Sequence, residues 1–164
     1  MKEHPITLQP DEIRGIITLD LSQLKRVVRP QPIDGQPWPN ENSCLTWDDI
    51  LSDPVYYFAC GHCPYGMPGD QLWGRETWAL IGSAAGMKLS ELNSVWSDSV
   101  VYRVDVEKTV YYDWLSATSM PRWATRIVLE ITSIDVVLDG RWNWIINFKP
   151  VRINNKFYWK ATNG

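Results

Sequence analysis

Three short stretches carry the side chains that could do chemistry. The first is Lys25-Arg26, followed by Arg29, a basic cluster running into a proline loop. Such a cluster is either a solvated charged face or a set of phosphate contacts. The second is "PRWATR", where Arg122 and Arg126 flank Trp123. Arginine beside indole can join a phosphate contact to base stacking, or the indole can simply cap a core. The third is "GRET", with Arg75 next to Glu76. Neighbours in a strand point to opposite faces, so an inward Glu76 needs a buried partner, for which Arg26 and Arg103 are the candidates. A structural salt bridge competes there with a ligand role. The ligand-binding candidates are therefore Lys25, Arg26, Arg75, Glu76, Arg122, Trp123 and Arg126.

Catalytic and metal chemistry have less material. "CGHC" from Cys60 to Cys63 has redox or zinc spacing, and His62 and Cys44 could be enlisted as ligands. A structural zinc site wants a second clear pair, and none follows. A thioredoxin-like motif should open a helix, whereas Pro64, Gly66, Pro68 and Gly69 come next. Ordinary thiols are the expectation, with no metal and no cofactor. His4 and His62 are the only histidines, and no phosphate-binding loop, zinc-protease or nucleophile-elbow motif occurs. No catalytic residue is assigned.

Composition bounds the rest. The 164 residues read as one domain, 1–164, with 45% hydrophobic and 21% charged residues. A formal charge of −3 excludes a general nucleic-acid coat protein but leaves room for a local basic patch. No apolar run approaches the ~20 residues of a membrane span. "MKEHPITLQPDEIRG" lacks the apolar core of a signal peptide, so a cytoplasmic protein without a membrane partner is expected. Of the ten tryptophans, roughly seven are expected in the core; the rest offer flat stacking surfaces.

The elements that must position these groups follow from periodicity. Ile13, Ile16 and Ile17 in "PDEIRGIITL" predict a first short helix, and "TWDDILSDP" predicts a brief helical turn. The four prolines of "RPQPIDGQPWPN" forbid a helix or a central strand. "CPYGMPGD" is a turn cluster feeding the strand "QLWGRETWAL", in which Leu72, Gly74, Glu76 and Trp78 face one way. "GSAAGMKLSELNS" reads as loop with a helical turn, "SVVYRVDVE" as a strand, and "TVYYDWLSATSMPRWATR" as a long connection. "RIVLEITSIDVVL" and "RWNWIINFKPVRI" are two strands joined at Asp139-Gly140, a hairpin signal, and "KFYWKA" reads as a last short strand. Few helices and about five strands predict an α+β, mainly β fold: a small mixed β-barrel with a few short flanking helices.

"CPYGMPGDQLWGRETWA", "MPRWATRIVLEITSIDV" and "WNWIINFKPV", in that order after "KRVVRPQP", resemble the phage and prophage branch of the ASCH-domain proteins, within the PUA-like barrel superfamily. The resemblance covers residues 5 to 151. It implies a cleft associated with RNA, nucleosides or modified bases. The ASCH signature has the form G-x-K-x-x-E-x-R. Through "KRVVRPQP" its glycine falls on Leu19, its lysine on Leu21, its Glu (Thr in the phage branch) on Leu24 and its arginine on Arg26, so Arg26 alone survives. In family members that hydrolyse acylated cytidines, that lysine and threonine act as base and nucleophile, helped by a glutamate from a later helical segment. Leucine can do neither job, and "VVLDG" joins two strands where relatives carry that segment.

The resemblance thus implies a non-catalytic module that recognises RNA or a modified nucleotide. Leu21 and Leu24 are expected to be mostly buried. A protein-interaction role, blocking a host factor or defence system, is the alternative, and Trp142, Trp144, Phe157 and Trp159 would suit it. A residual amidohydrolase or nuclease comes third.

Overall fold

The computed structural model describes residues 1–38, 44–60 and 63–154. The "KFYWKA" strand, Phe157, Trp159 and His62 of "CGHC" lie outside them. The described chain is α+β and mainly sheet. In order it forms β1 (Glu3–Thr7), α1 (Pro10–Ile17), β2 (Gln23–Val27), β3 (Gln36–Pro37), β4 (Cys44–Leu45), α2 (Trp47–Ser52) and α3 (Pro54–Cys60). It continues with β5 (Gln71–Arg75), β6 (Trp78–Leu80), β7 (Val100–Tyr102), β8 (Ile127–Asp139) and β9 (Arg141–Ile153). Short 3-10 turns fill much of the stretch between β6 and β8. Five strands make one sheet in the order β1-β5-β8-β9-β2, while β3-β4 and β6-β7 are separate pairs. A closed barrel is not found among the described residues. No helix among them is long and apolar enough to cross a membrane.

The chain divides into two compact units. The first comprises the described residues of 1–4, 22–71 and 130–149. In it β2 pairs antiparallel with β9, with Leu24 opposite Ile146 and Arg26 opposite Trp144. Alternation then buries Leu24 and leaves Lys25 facing solvent. Leu24, Val28, Trp142, Trp144, Ile146 and Phe148 are all buried. Trp142 stacks on Trp47 of α2 at 5.5 Å. Thr46 caps α2, accepting from the Asp49 amide at 3.2 Å while the Asp49 carboxylate accepts the Thr46 amide at 2.9 Å.

The second unit comprises the described residues of 5–21, 72–129 and 150–154. Ile13 and Ile16 put the buried face of α1 into its core, and the Glu12 carboxylate accepts the Gln9 amide at 2.9 Å to satisfy the helix start. Trp78, opposite Tyr102 in the β6-β7 pair, packs with Val100, Met120 and Ala124. Gly74 permits a close approach: a Cβ there would stand 2.6 Å from Leu8 Cδ1.

Several expectations need correcting. β1 was not expected; Pro5 is tolerated because β1 lies at an end of the strand order, where one side needs no ladder. α3 was not expected either, since "VYYF" favours strands by propensity, yet Pro54 at the first helical position suits a helix start. "QLWGRETWAL" is interrupted at Glu76-Thr77, although Leu72, Gly74, Glu76 and Trp78 are all buried as the alternation predicts. "SVVYRVDVE" is strand only to Tyr102, and a 3-10 turn at Arg103–Asp105 follows. The proline-rich loop adds the two-residue β3, paired with β4 in a two-stranded sheet, and so forms no helix or central strand among the described residues. Four tryptophans are buried, Trp38, Trp78, Trp142 and Trp144; five more are half-buried. The leucines also divide: Leu24 is 1% exposed, Leu21 is half-buried and Leu19 is 68% exposed.

Candidate functional site

In the first unit, β2 delivers Lys25 and Arg26 to a hollow of about 560 Å³, lined also by Val27, Arg29, Pro64 and Tyr65. Lys25 donates to the Asp139 carboxylate at 2.5 Å, which holds that carboxyl below its ordinary range. Arg26 donates from Nη1 to the Lys25 carbonyl at 2.8 Å. The phenol of Tyr65 is pushed up by burial, against the opposing pull of Arg26 and Arg29. Sequence reasoning missed Tyr65; its signal was an aromatic set inside a Pro/Gly turn cluster.

The loop carrying Tyr65 is built to hold its shape. Gly66 and Gly69 have φ of 109° and 92°, a region side chains disfavour. The Asp70 carboxylate accepts the Met67 amide at 3.1 Å and the Lys2 amide at 2.8 Å, and both bonds hold its carboxyl low. The Gly69 amide donates to the Ile131 carbonyl of β8 at 2.9 Å. Beside Tyr65, burial pushes the Cys63 thiol up from its ordinary value, which disfavours the thiolate. Cys44 and Cys63 are free thiols, and no metal-holding group of three His, Cys, Asp or Glu residues occurs among the described residues.

The second unit holds a different arrangement around Arg126. Its Nε donates to Glu76 Oε1 at 2.7 Å, its Nη2 to Glu76 Oε2 at 2.9 Å and its Nη1 to Asp105 Oδ2 at 2.5 Å. The guanidinium carbon lies 4.1 Å from the Tyr102 ring centre, and the Tyr102 hydroxyl donates to the Ala124 carbonyl at 2.7 Å. Glu76 and Arg126 are each 2% exposed. Burial raises the Glu76 carboxyl despite Arg126 beside it, and raises the Tyr102 phenol strongly.

This corrects one expectation. The partner of Glu76 is Arg126, neither Arg26 nor Arg103. Arg103 instead stacks over Trp114 at 5.2 Å and donates to the Val106 carbonyl. Arg126, expected at a phosphate, spends three of its five N–H donors on carboxylates. The salt-bridge reading of Glu76 holds.

The remaining candidates are spread over the second unit. Arg75 donates to Thr7 Oγ1 at 3.3 Å and the Thr118 carbonyl at 3.5 Å, and lies 5.8 Å from the centre of the Trp73 ring. Trp123 sits half-buried on the 3-10 turn Arg122–Ala124, edge-on to Trp78 at 6.3 Å. Trp123 and Arg126 line a hollow of about 190 Å³ with Arg152 and Ser94, and Arg122 is not among its lining residues. The structure therefore brings together Lys25 with Arg26 in the first unit, and Glu76 with Arg126 in the second.

Chemically, the Lys25-Arg26-Arg29 hollow offers cations and a phenol face, with no carboxylate in its lining. Such a lining can hold an anion and stack a flat group. Its lining includes no nucleophile joined to a base, the minimum for covalent catalysis. Comparison of the chain with protein-family models, with curated proteins and with solved structures gives no match.

Proposed function

We propose that this chain is a non-catalytic, cytoplasmic binding module of the PUA-like, ASCH type that recognises RNA or a modified nucleotide. The observation that carries the reading is the shared hollow of Lys25, Arg26, Arg29 and Tyr65. Arginine binds phosphate oxygens bidentately, and a tyrosine face stacks a base of any sequence. A family relationship is supported by Leu19. It stands where the ASCH signature carries glycine, and its φ is 62°, a conformation glycine adopts freely.

The test is titration of single-stranded RNA at several salt concentrations. Arg26→Ala and Arg29→Ala should each weaken binding and flatten the log–log salt slope by about 0.7. Tyr65→Ala should cost about 1–3 kcal/mol, and Tyr65→Phe should not. Lys88→Ala, on an exposed residue of the other unit, should change neither affinity nor slope. Equal affinity across the series, with every variant folded, defeats the reading.

A second reading is favoured by Leu51, Val55 and Tyr56 of the α2–α3 segment, which are 52%, 47% and 61% exposed. Clustered apolar exposure suits a protein partner. A host protein retained stoichiometrically by the parent chain, and lost on Val55→Lys/Tyr56→Lys, would favour it over RNA.

A further inference from the structure

The second unit contains a hollow that the proposed nucleotide site does not use. It has a volume of about 250 Å³ and lies between α1 and the turn Arg103–Asp105. Leu8 and Ile13, 4% and 1% exposed, contribute apolar lining, with Val104 and Val106 beside them. Arg14, Arg103 and Lys108 supply three cations, and no carboxylate lines the hollow.

Glu107, next to Lys108, is solvent-exposed, and two further acids nearby do not cancel that charge. Asp11 pairs with Arg14 at 3.1 Å, but its side chain is 99% exposed, where water screens the pair. Asp105 is bound to the buried Arg126 and is committed there. Arg103 gives one N–H to the Val106 carbonyl at 3.0 Å, and its guanidinium carbon lies 5.2 Å from the Trp114 ring centre. A guanidinium has five N–H donors, so four lack a protein acceptor among the described residues. The Trp114 ring beside the guanidinium attracts the cation and limits its freedom, which helps to pre-organise it for a planar anion.

An inorganic anion would satisfy these donors and leave the apolar wall of Pro10, Val104 and Val106 wet. An uncharged hydrocarbon would do the reverse. The hollow is also slightly below the range of about 300–1,000 Å³ common for ligand pockets, so the guest is a single ring or a short chain. We propose that it is a binding site for a small monocarboxylic acid. The carboxylate is taken by Arg103, with Arg14 and Lys108 adding charge, and the apolar body rests on Pro10, Val104 and Val106. This site does not depend on the nucleotide reading.

Sodium hexanoate is the probe, titrated into the full chain while the backbone amides of Thr77 and Arg103–Val106 are followed by NMR. Saturable shifts are expected, with an affinity about tenfold above that of 1-hexanol or acetate. Arg103→Gln should weaken hexanoate about tenfold, or 1.4 kcal/mol. Because Arg103 also packs on Trp114, the solvent-exposed Lys108→Ala provides a second arm, expected to weaken binding severalfold with the melting temperature unchanged. Equal affinity for hexanol would reduce the site to an apolar cavity, and equal affinity for acetate to unspecific ion attraction. Either result overturns the proposal, as does the absence of saturable shifts or an unchanged affinity in folded Lys108→Ala.

Discussion

Arg126 stands between two carboxylates, so the cluster with Glu76 and Asp105 carries an excess negative charge inside the second unit. Burying charge is costly, and the guanidinium offsets that cost only while it stays in place. Arg126→Met should therefore cost about 3–5 kcal/mol, read by urea unfolding at neutral pH. The pH dependence has a definite sign. Burial raises the folded Glu76 carboxyl above its ordinary 4.5, and the Asp105 charge adds to the rise. The folded state then holds the Glu76 proton more tightly than the unfolded chain does, so ionising Glu76 costs stability. That cost is absent below 4.5 and fully present above the folded value. Glu76→Gln does not titrate, so the stability of the parent relative to this variant should fall as pH rises through that window. A constant difference would contradict it. The alternation read from the sequence puts Glu76 on one face with Leu72 and Trp78, and the structure buries that face through the break in the strand. The alternation does not show the partner, because fifty residues separate Glu76 from Arg126 and periodicity carries no information about such a pairing.

Helix α1 and strand β2 show how three leucines of one short stretch meet different fates. The Leu19 amide donates to the Ile16 carbonyl at 3.1 Å and the Asp20 amide to the Gly15 carbonyl at 2.9 Å, a Schellman ending in which Leu19 holds the position glycine favours. Its φ of 62° is strained for a branched side chain. Leu21 packs over Gly15, where a Cβ would stand 2.8 Å from the Leu21 Cβ. Leu24 is buried on β2, opposite Ile146. Two substitutions should then move stability in opposite directions, measured by thermal melting. Leu19→Gly should stabilise by about 0.5–1 kcal/mol, since relief of strain exceeds the added freedom of the unfolded chain. Leu24→Ala should destabilise by about 2–5 kcal/mol because a cavity remains. Equal melting of both variants and the parent would refute this. Local signals foretold α1, α2 and the β8–β9 hairpin, where caps, spacing and Asp-Gly agree. β1, α3 and the early end of β7 escaped because pairing at a sheet edge, a Pro start under strand-like residues, and stacking of Arg103 on Trp114 are decided by tertiary contacts.

At the scale of the whole chain, the ASCH relationship proposed above would ask for three groups from separate places: a base, a nucleophile and an assisting acid. Leucine occupies the first two positions, and β8 passes directly into β9 at Gly140, whose φ of 67° makes the tight turn. That hairpin leaves no length for a helical segment between the two strands. Composition could bound the class of function, and the basic run at Lys25-Arg26 could be read as a candidate face, but the Tyr65 wall depends on a loop fold the linear sequence does not display. The expected outcome is that the purified protein does not hydrolyse N-acylated cytidine. Restoring the polar pair through Leu21→Lys and Leu24→Thr should not recover turnover either. Leu24→Thr also places a hydroxyl at a core position on β2, so the variant should unfold at a lower temperature than the parent. Chromatographic assay of cytidine release, beside a buffer control and with folding checked by circular dichroism, measures both points. Release by the parent above background, abolished by a single substitution in the Lys25-Arg26-Arg29 hollow, would make the site catalytic and reverse the binding reading. Release by a folded double variant would show instead that no helical segment is needed, because two side chains then suffice for chemistry.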